Sequence, residues 1–334
     1  MTVAGTDDVD PAAGATRETR AELASHFDMV CRGFRRGRVT PVLGAGASLF
    51  GRSVPTSGEW VGSPSAGELA ARLAKEFGLP EELRSTKDLL GIAQWIAAMR
   101  GGRGPLYEEL HDVFDRDTPI PALHDFLAGV PGRLREAGLL AEPPLFVTTN
   151  YDDLLERAFE ARDEPYDLVV YMADGDYRGH FCHQPPGGEL QLIENPDDYQ
   201  GANPAERTVI VKLHGFVNRR DRKHDSYVIT EDHYIEYLAL GDLDNFLPVH
   251  VLSRLLNCHL LFLGYSLRDW NLRAILYRLH ARAMENDWWS VNFGTDAVER
   301  KSWEGRDVTT IELALEDYLT ALNEAFGSWI SERA

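Results

Sequence analysis

The residues of this chain that can do chemistry fall in four short stretches. The first is Gly44-Ala45-Gly46-Ala47-Ser48, which ends the apolar run Arg38–Leu43. A strand that stops in Gly-x-Gly beside a helix start brings backbone N–H groups close to a ligand and favours an anion such as phosphate. Leu49 stands where a Gly-x-Gly-x-x-Gly fingerprint needs glycine, and no Gly-Lys-Ser/Thr follows as a P-loop requires. Glycines that only let a helix pack tightly on a strand are the alternative. The second stretch is Asn150-Tyr151-Asp152-Asp153, straight after the run Pro144–Thr149. Asn-x-Asp at the carboxyl end of a strand lies where ligands bind in open α/β sheets. Asn150 as a helix N-cap, with Asp153 complementing the helix dipole, is the competing explanation. The third is His214-Gly215, at the end of Thr208–Leu213, where an imidazole can act as a general base near neutral pH. The fourth is Gly264-Tyr265-Ser266, after His259–Leu263, in which Ser266 and Asp269 also fit a capping box. His180, Cys182 and His183 place three soft ligands in four residues. With no second ligand cluster they read as incidental rather than as a metal site.

What positions the four stretches is a set of apolar runs, each long enough for one buried strand and each followed by a helix or loop. Val209, Ile210, Val211 and Leu213 form a nearly continuous apolar run, as a strand covered on both faces requires. An amphipathic helix over Arg17–Gly37, with Leu23, Phe27, Val30 and Phe34 at helical spacing, leads into the first strand. The Gly/Pro/Ser-rich stretch Gly51–Gly67 is expected to be a loop covering a site. Helical patterns then follow one another without a strand, so residues 65–138 read as a helical insertion. Residues 162–206 read as a loop-rich insertion around one strand, Asp167–Tyr171. Strands at Trp289–Phe293 and Val308–Leu313 and a helix at Leu315–Phe326 complete the pattern. The expected fold is α/β, a Rossmann-like parallel sheet with helices on both faces and no zinc module. Residues 1–19 are expected to be a disordered tail and residues 20–330 a single catalytic domain.

The chain has 334 residues, 44% of them hydrophobic, and a formal net charge of −19. That charge speaks against direct nucleic-acid binding or attachment to an anionic membrane, since counterion release needs a basic face. The start lacks an apolar signal segment and no run approaches a membrane span, so a cytoplasmic protein is expected. Three cysteines, Cys31, Cys182 and Cys258, are too few for a four-thiolate zinc site and too scattered for a disulfide framework.

Taken in order, Gly44-Ala45-Gly46-Ala47-Ser48, Thr148-Thr149-Asn150-Tyr151-Asp152, Leu213-His214-Gly215 and Gly264-Tyr265-Ser266 resemble the motifs of the sirtuin superfamily. Thr-Thr-Asn-Tyr-Asp, the segment Tyr-Val-Ile-Thr-Glu-Asp-His-Tyr from Tyr227 and Gly-Tyr-Ser-Leu-Arg-Asp look like its bacterial SIR2-like branch of anti-phage NAD hydrolases. The resemblance covers most of residues 38–325. It implies NAD, as substrate, lying across the carboxyl ends of the strands, with no metal. By position it implies that Gly44, Ala45, Gly46 and Ser48 hold the pyrophosphate and nearby ribose. It further implies Thr149 beside the cofactor, Gly264 and Ser266 on the adenosine half, and Asn292 on the adenosine ribose. Asn150 would position the nicotinamide ribose and water, Asp152 would lie near the nicotinamide amide, and His214 would be the base. The implied activity is cleavage of NAD+ to nicotinamide and ADP-ribose, depleting NAD on infection. A homo-oligomer or a regulatory partner such as a neighbouring ATPase is expected to keep it silent. NAD-dependent protein deacylation, ADP-ribosyl transfer and non-catalytic NAD or ADP-ribose sensing are the alternatives. Deacetylating sirtuins carry two Cys-x-x-Cys pairs after His-Gly, and no cysteine lies between Phe216 and Asn257. Val54-Pro55-Thr56-Ser57 also replaces their Pro-Asp-Phe-Arg loop.

Overall fold

The computed structural model describes residues 17–52, 62–239, 246–265, 286–294 and 297–334, with residues 273, 277 and 279 between them. The expected tail therefore lies mostly outside the described residues, although helix α1 (Arg17–Arg35) already begins inside its last three positions.

Five buried runs become the strands β1 (Val39–Leu43), β2 (Leu145–Thr148), β6 (Thr208–Lys212), β9 (His259–Leu263) and β10 (Trp288–Val291). With β3 (Tyr166–Tyr171), β4 (Phe181–Gln184), β5 (Gln191–Leu192) and β11 (Val308–Ile311) they form one nine-stranded sheet, ordered β11-β10-β9-β1-β2-β6-β3-β4-β5. All pairings from β11 to β3 are parallel, whereas β4 and β5 are antiparallel additions at one edge. The stretch 162–206 thus differs from the loop-rich insertion expected of it, since it supplies three strands of the main sheet. Strand β4 is only four residues, Phe-Cys-His-Gln, and shows no clear alternation of apolar and polar residues. In the strand Cys182 points into the core and burial pushes its thiol up to about 12. His183 points the other way, to Asp167 Oδ1 (2.8 Å) and Tyr199 OH (2.7 Å), and His180 is exposed. Within the strand, period-two geometry puts Cys182 and His183 on opposite faces, and His180 lies before the strand begins.

Alternate residues of each central strand enter opposite cores. Leu43, Phe146, Ile210 and Leu261 pack with α1, α7 (Ala122–Glu136), α8 (Leu154–Glu160) and the terminal helix α12 (Leu315–Ser331). Val42, Val147, Val211 and Phe262 pack against α10 (Val249–Leu256) and Trp303 of α11 (Ala297–Glu304). Both faces are covered, which is why the strands read as continuous apolar runs. A third core joins α3 (Ala66–Glu76), α5 (Leu89–Met99) and α6 (Gly104–Phe114) to Tyr227 and Ile229, beside the small hairpin β7 (Gly215–Phe216) and β8 (Ser226–Tyr227). Between α3 and α5 lies the single turn α4 (Glu81–Arg84), and α9 (Glu231–Ala239) follows the hairpin. The helical insertion is therefore docked over the hairpin that follows His214, while α7 belongs to the main helix layer. Among the described residues no helix is long and apolar enough to cross a membrane.

Candidate active site at the strand ends

The register aligns the four stretches. Val291, Leu263, Leu43, Thr148 and Lys212 pair across five neighbouring strands. The next residue along each strand puts Asn292, Gly264, Gly44, Thr149 and Leu213 in one row along the carboxyl edge. Asn150 and His214 then each lie two residues past a registered pair, on adjacent strands. The chain moves from β1 to β2 on one side and reaches β9 on the other, so the row spans a point of strand-order reversal, where open α/β sheets bind ligands.

The Gly44–Ser48 stretch leaves β1 through α2 (Ala45–Ser48), a single turn. Its amides are already engaged in part. Gly44 N donates to Leu263 O (3.1 Å), Gly46 N to Gly264 O (2.8 Å) and Ala47 N to Gly44 O (3.0 Å). A Cβ on Gly44 or Gly46 would stand 2.6 or 2.8 Å from the Gly264 backbone. The close-packing explanation of these glycines therefore applies: the turns after β1 and β9 interlock. Within the turn Ala45 is exposed, while Ser48 is buried.

Asn150 does not cap α8. That helix starts at Leu154, and the Asp152 carboxylate accepts from Leu154 N (3.3 Å). Asn150 Nδ2 instead donates to Gly44 O and to Ser48 Oγ, both at 2.9 Å, while its main-chain N–H donates to Thr148 Oγ1 (3.0 Å). The side chain thus bridges the ends of β1 and β2. Asp152, 7% exposed, also accepts from Ser63 Oγ at 2.9 Å. Ser63 is held in turn because Arg52 donates to its carbonyl (3.2 Å) and pairs with Glu68 (2.7 Å), holding that carboxyl down at about 2.

His214, 3% exposed, sits against the rings of Tyr234 and Tyr237, each 5.9 Å away between centroids. Gly215 follows in the left-handed region at φ +86°, which lets the chain turn sharply into β7. Thr149 Oγ1 lies 3.1 Å from Tyr265 OH. The Asn292 side-chain amide donates to the carbonyl of Tyr265 at 3.1 Å and accepts from the Ser290 hydroxyl. Phe293, next in the chain, lines a cavity of about 910 Å³ completed by residues such as Leu23, Met29 and Trp289. Ser266 and residues 53–61, which include most of the expected covering loop and Val54-Pro55-Thr56-Ser57, lie outside the described residues.

The structure therefore brings Gly44, Ser48, Thr149, Asn150, Gly264 and Asn292 into one hydrogen-bonded edge, with Asp152 and His214 beside it. Tyr265, Ser63 and Lys212 join this edge without having been singled out. Tyr265 was visible inside a quoted motif, and Lys212 as the one charged residue of an apolar strand. Ser63 carried no signal.

The sequence profile of the SIR2-like domain family matches residues 144–311. Three curated relatives bear the name NAD(+) hydrolase ThsA. The protein from Enterococcus faecium is 28% identical over 247 residues, covering 73% of this chain and 41% of its own length. That from Bacillus cereus (strain MSX-D12) is 27% identical over 234 residues, covering 68% and 38% respectively. That from Acinetobacter baumannii (strain 532279) is 28% identical over 222 residues, covering 66% and 36%. The chain spans roughly two fifths of the length of these relatives.

Proposed function

The chain belongs to the SIR2-like domain family, and from that premise we propose that it is an NAD+ glycohydrolase releasing nicotinamide and ADP-ribose, acting in anti-phage defence. The observation that carries the reading is the pairing of Asn150 and His214 at equal height on adjacent strand ends, with Asn150 fixed to Gly44 and Ser48. NAD+ lies along the row, its adenosine half toward Gly264, Ser266 and Asn292. The pyrophosphate and nearby ribose lie at Ala45 and Ser48, with Gly44, Gly46 and Thr149 shaping that stretch. Its nicotinamide ribose lies at Asn150, with Asp152 near the nicotinamide amide.

The bond from C1′ to the nicotinamide nitrogen breaks with its electron pair going to the ring, so the leaving group departs neutral and needs no acid. Water forms the new C1′–O bond. Its proton passes to His214 and then to solvent. Asn150 orients the ribose and the water, and that orientation is the larger contribution. No step in this scheme calls on a metal. Oligomerisation, or a partner such as an ATPase, holds the enzyme silent.

Incubation with NAD+ and chromatography of nicotinamide tests the reading. Release should fall by about 10²–10⁴-fold in His214→Ala and in Asn150→Ala. NAD+ binding without turnover in any assembly state would overturn hydrolysis in favour of a sensor.

A further inference from the structure

Lys212 is the last residue of β6 and is 1% exposed, in a strand otherwise built of Thr, Val and Ile. Its Nζ donates to the main-chain carbonyl of Asp152 and pairs with Glu156 Oε1 at 2.7 Å. Glu156, in the first turn of α8, is 6% exposed, and its second oxygen is buried without a hydrogen-bond partner. Asp153, next along, pairs with Arg219 at 2.5 Å, and His124 lies close enough to Asp152 and Lys212 to feel both charges. Stability alone does not call for such an arrangement. A buried ion pair commonly contributes no more than well-packed apolar residues of the same volume, and an unpaired carboxylate oxygen adds a cost. What an apolar residue cannot do at this position is grip a carbonyl of the Asn150–Asp153 turn from the strand that carries His214.

The geometry points to Lys212 as a positioning residue, with Glu156 as its anchor, that locks the Asn150–Asp152 turn to β6 and so sets Asn150 against His214. This assignment rests on the NAD+ cleavage proposed above. Thr148 and Lys212 are registered partners, and Leu213 N donates to Thr148 O at 2.9 Å, so the backbone already joins the strands up to that level. Beyond that level one main-chain bond, Val217 N to Tyr151 O (2.9 Å), also holds the turn, and the lysine adds a second tie at the Asp152 carbonyl, nearer to His214 in the chain. Displacing reacting groups by about 1 Å costs on the order of 100-fold in rate.

The test is the double substitution Lys212→Met with Glu156→Leu, which removes both charges and keeps the volume, beside Lys212→Arg. The double variant should unfold at a denaturant midpoint equal to or above that of the parent. Its kcat for NAD+ should fall about 100-fold, with KM changed less than about threefold, since substrate contacts are untouched. Lys212→Arg should recover most of that rate. Amide hydrogen exchange should accelerate at residues 150–153 in the double variant and stay unchanged in β9 and β10. Exchange reads the lock even if the parent proves not to cleave NAD+, so the two readings fail separately. Unchanged exchange at 150–153, or parental kcat in the folded double variant, would overturn the assignment.

Discussion

Asn150 shows how a few contacts decide a residue's role. Its amide nitrogen is committed to the Gly44 carbonyl and the Ser48 hydroxyl, so in the proposed reaction Oδ1 is the atom that would meet a ribose hydroxyl or water. Asn150→Asp would set a carboxylate oxygen against the Gly44 carbonyl where a donor stood. It should destabilise the fold by about 1–3 kcal/mol, measured by urea denaturation, beyond abolishing turnover. Asn150 and His214 were legible in the sequence because each follows an apolar run that can only be a buried strand. Ser63 was not, because the partner that gives it meaning, Asp152, lies 89 residues away. Side chains recruited over such separations leave no local pattern to read.

Among the elements, the two interlocked turns matter most. Gly264 sits at φ +64°, and a Cβ there would stand 2.1 Å from Ala47 N and 2.5 Å from Gly46 C. Backbone atoms cannot swing aside as a side chain can. Gly264→Ala should therefore cost more than about 1–3 kcal/mol in urea denaturation and disturb the Gly44–Ser48 turn. The boundaries of β1, β2, β6 and β9 were legible within a residue or so, since continuous hydrophobicity marks a strand covered on both faces. Helix α7 is harder to read, because it runs from Ala122 through Pro131 to Glu136 and an internal proline ordinarily ends or kinks a helix. Burial of Val130, Pro131 and Leu134 outweighs the backbone hydrogen bond that the proline cannot donate.

At the scale of the molecule, three histidines among the described residues, in separate helices, are held neutral. Burial draws His26, His124 and His233 down from 6.5 to about 4, with Arg103 adding to the effect at His233. Below about 6.5 the unfolded chain binds protons on these rings that the folded chain refuses until about 4. Their contribution is therefore complete above about 6.5 and is lost as pH falls through that window. Each can add a slope approaching about 1.4 kcal/mol per pH unit. Urea midpoints measured from pH 7 to pH 4 should decline, and His26→Phe should flatten the decline. A different consequence follows from the order of the sheet. Strand β1 lies between β2 and β9, and its register with β9 joins Val39 to His259 and Leu43 to Leu263. A ribosome must therefore release more than two hundred further residues before the first strand meets one of its two neighbours. Until then a nascent chain lacks Gly264 and Asn292 of the five-residue strand-end row, so synthesis itself delays assembly of the proposed site until β9 and β10 have emerged.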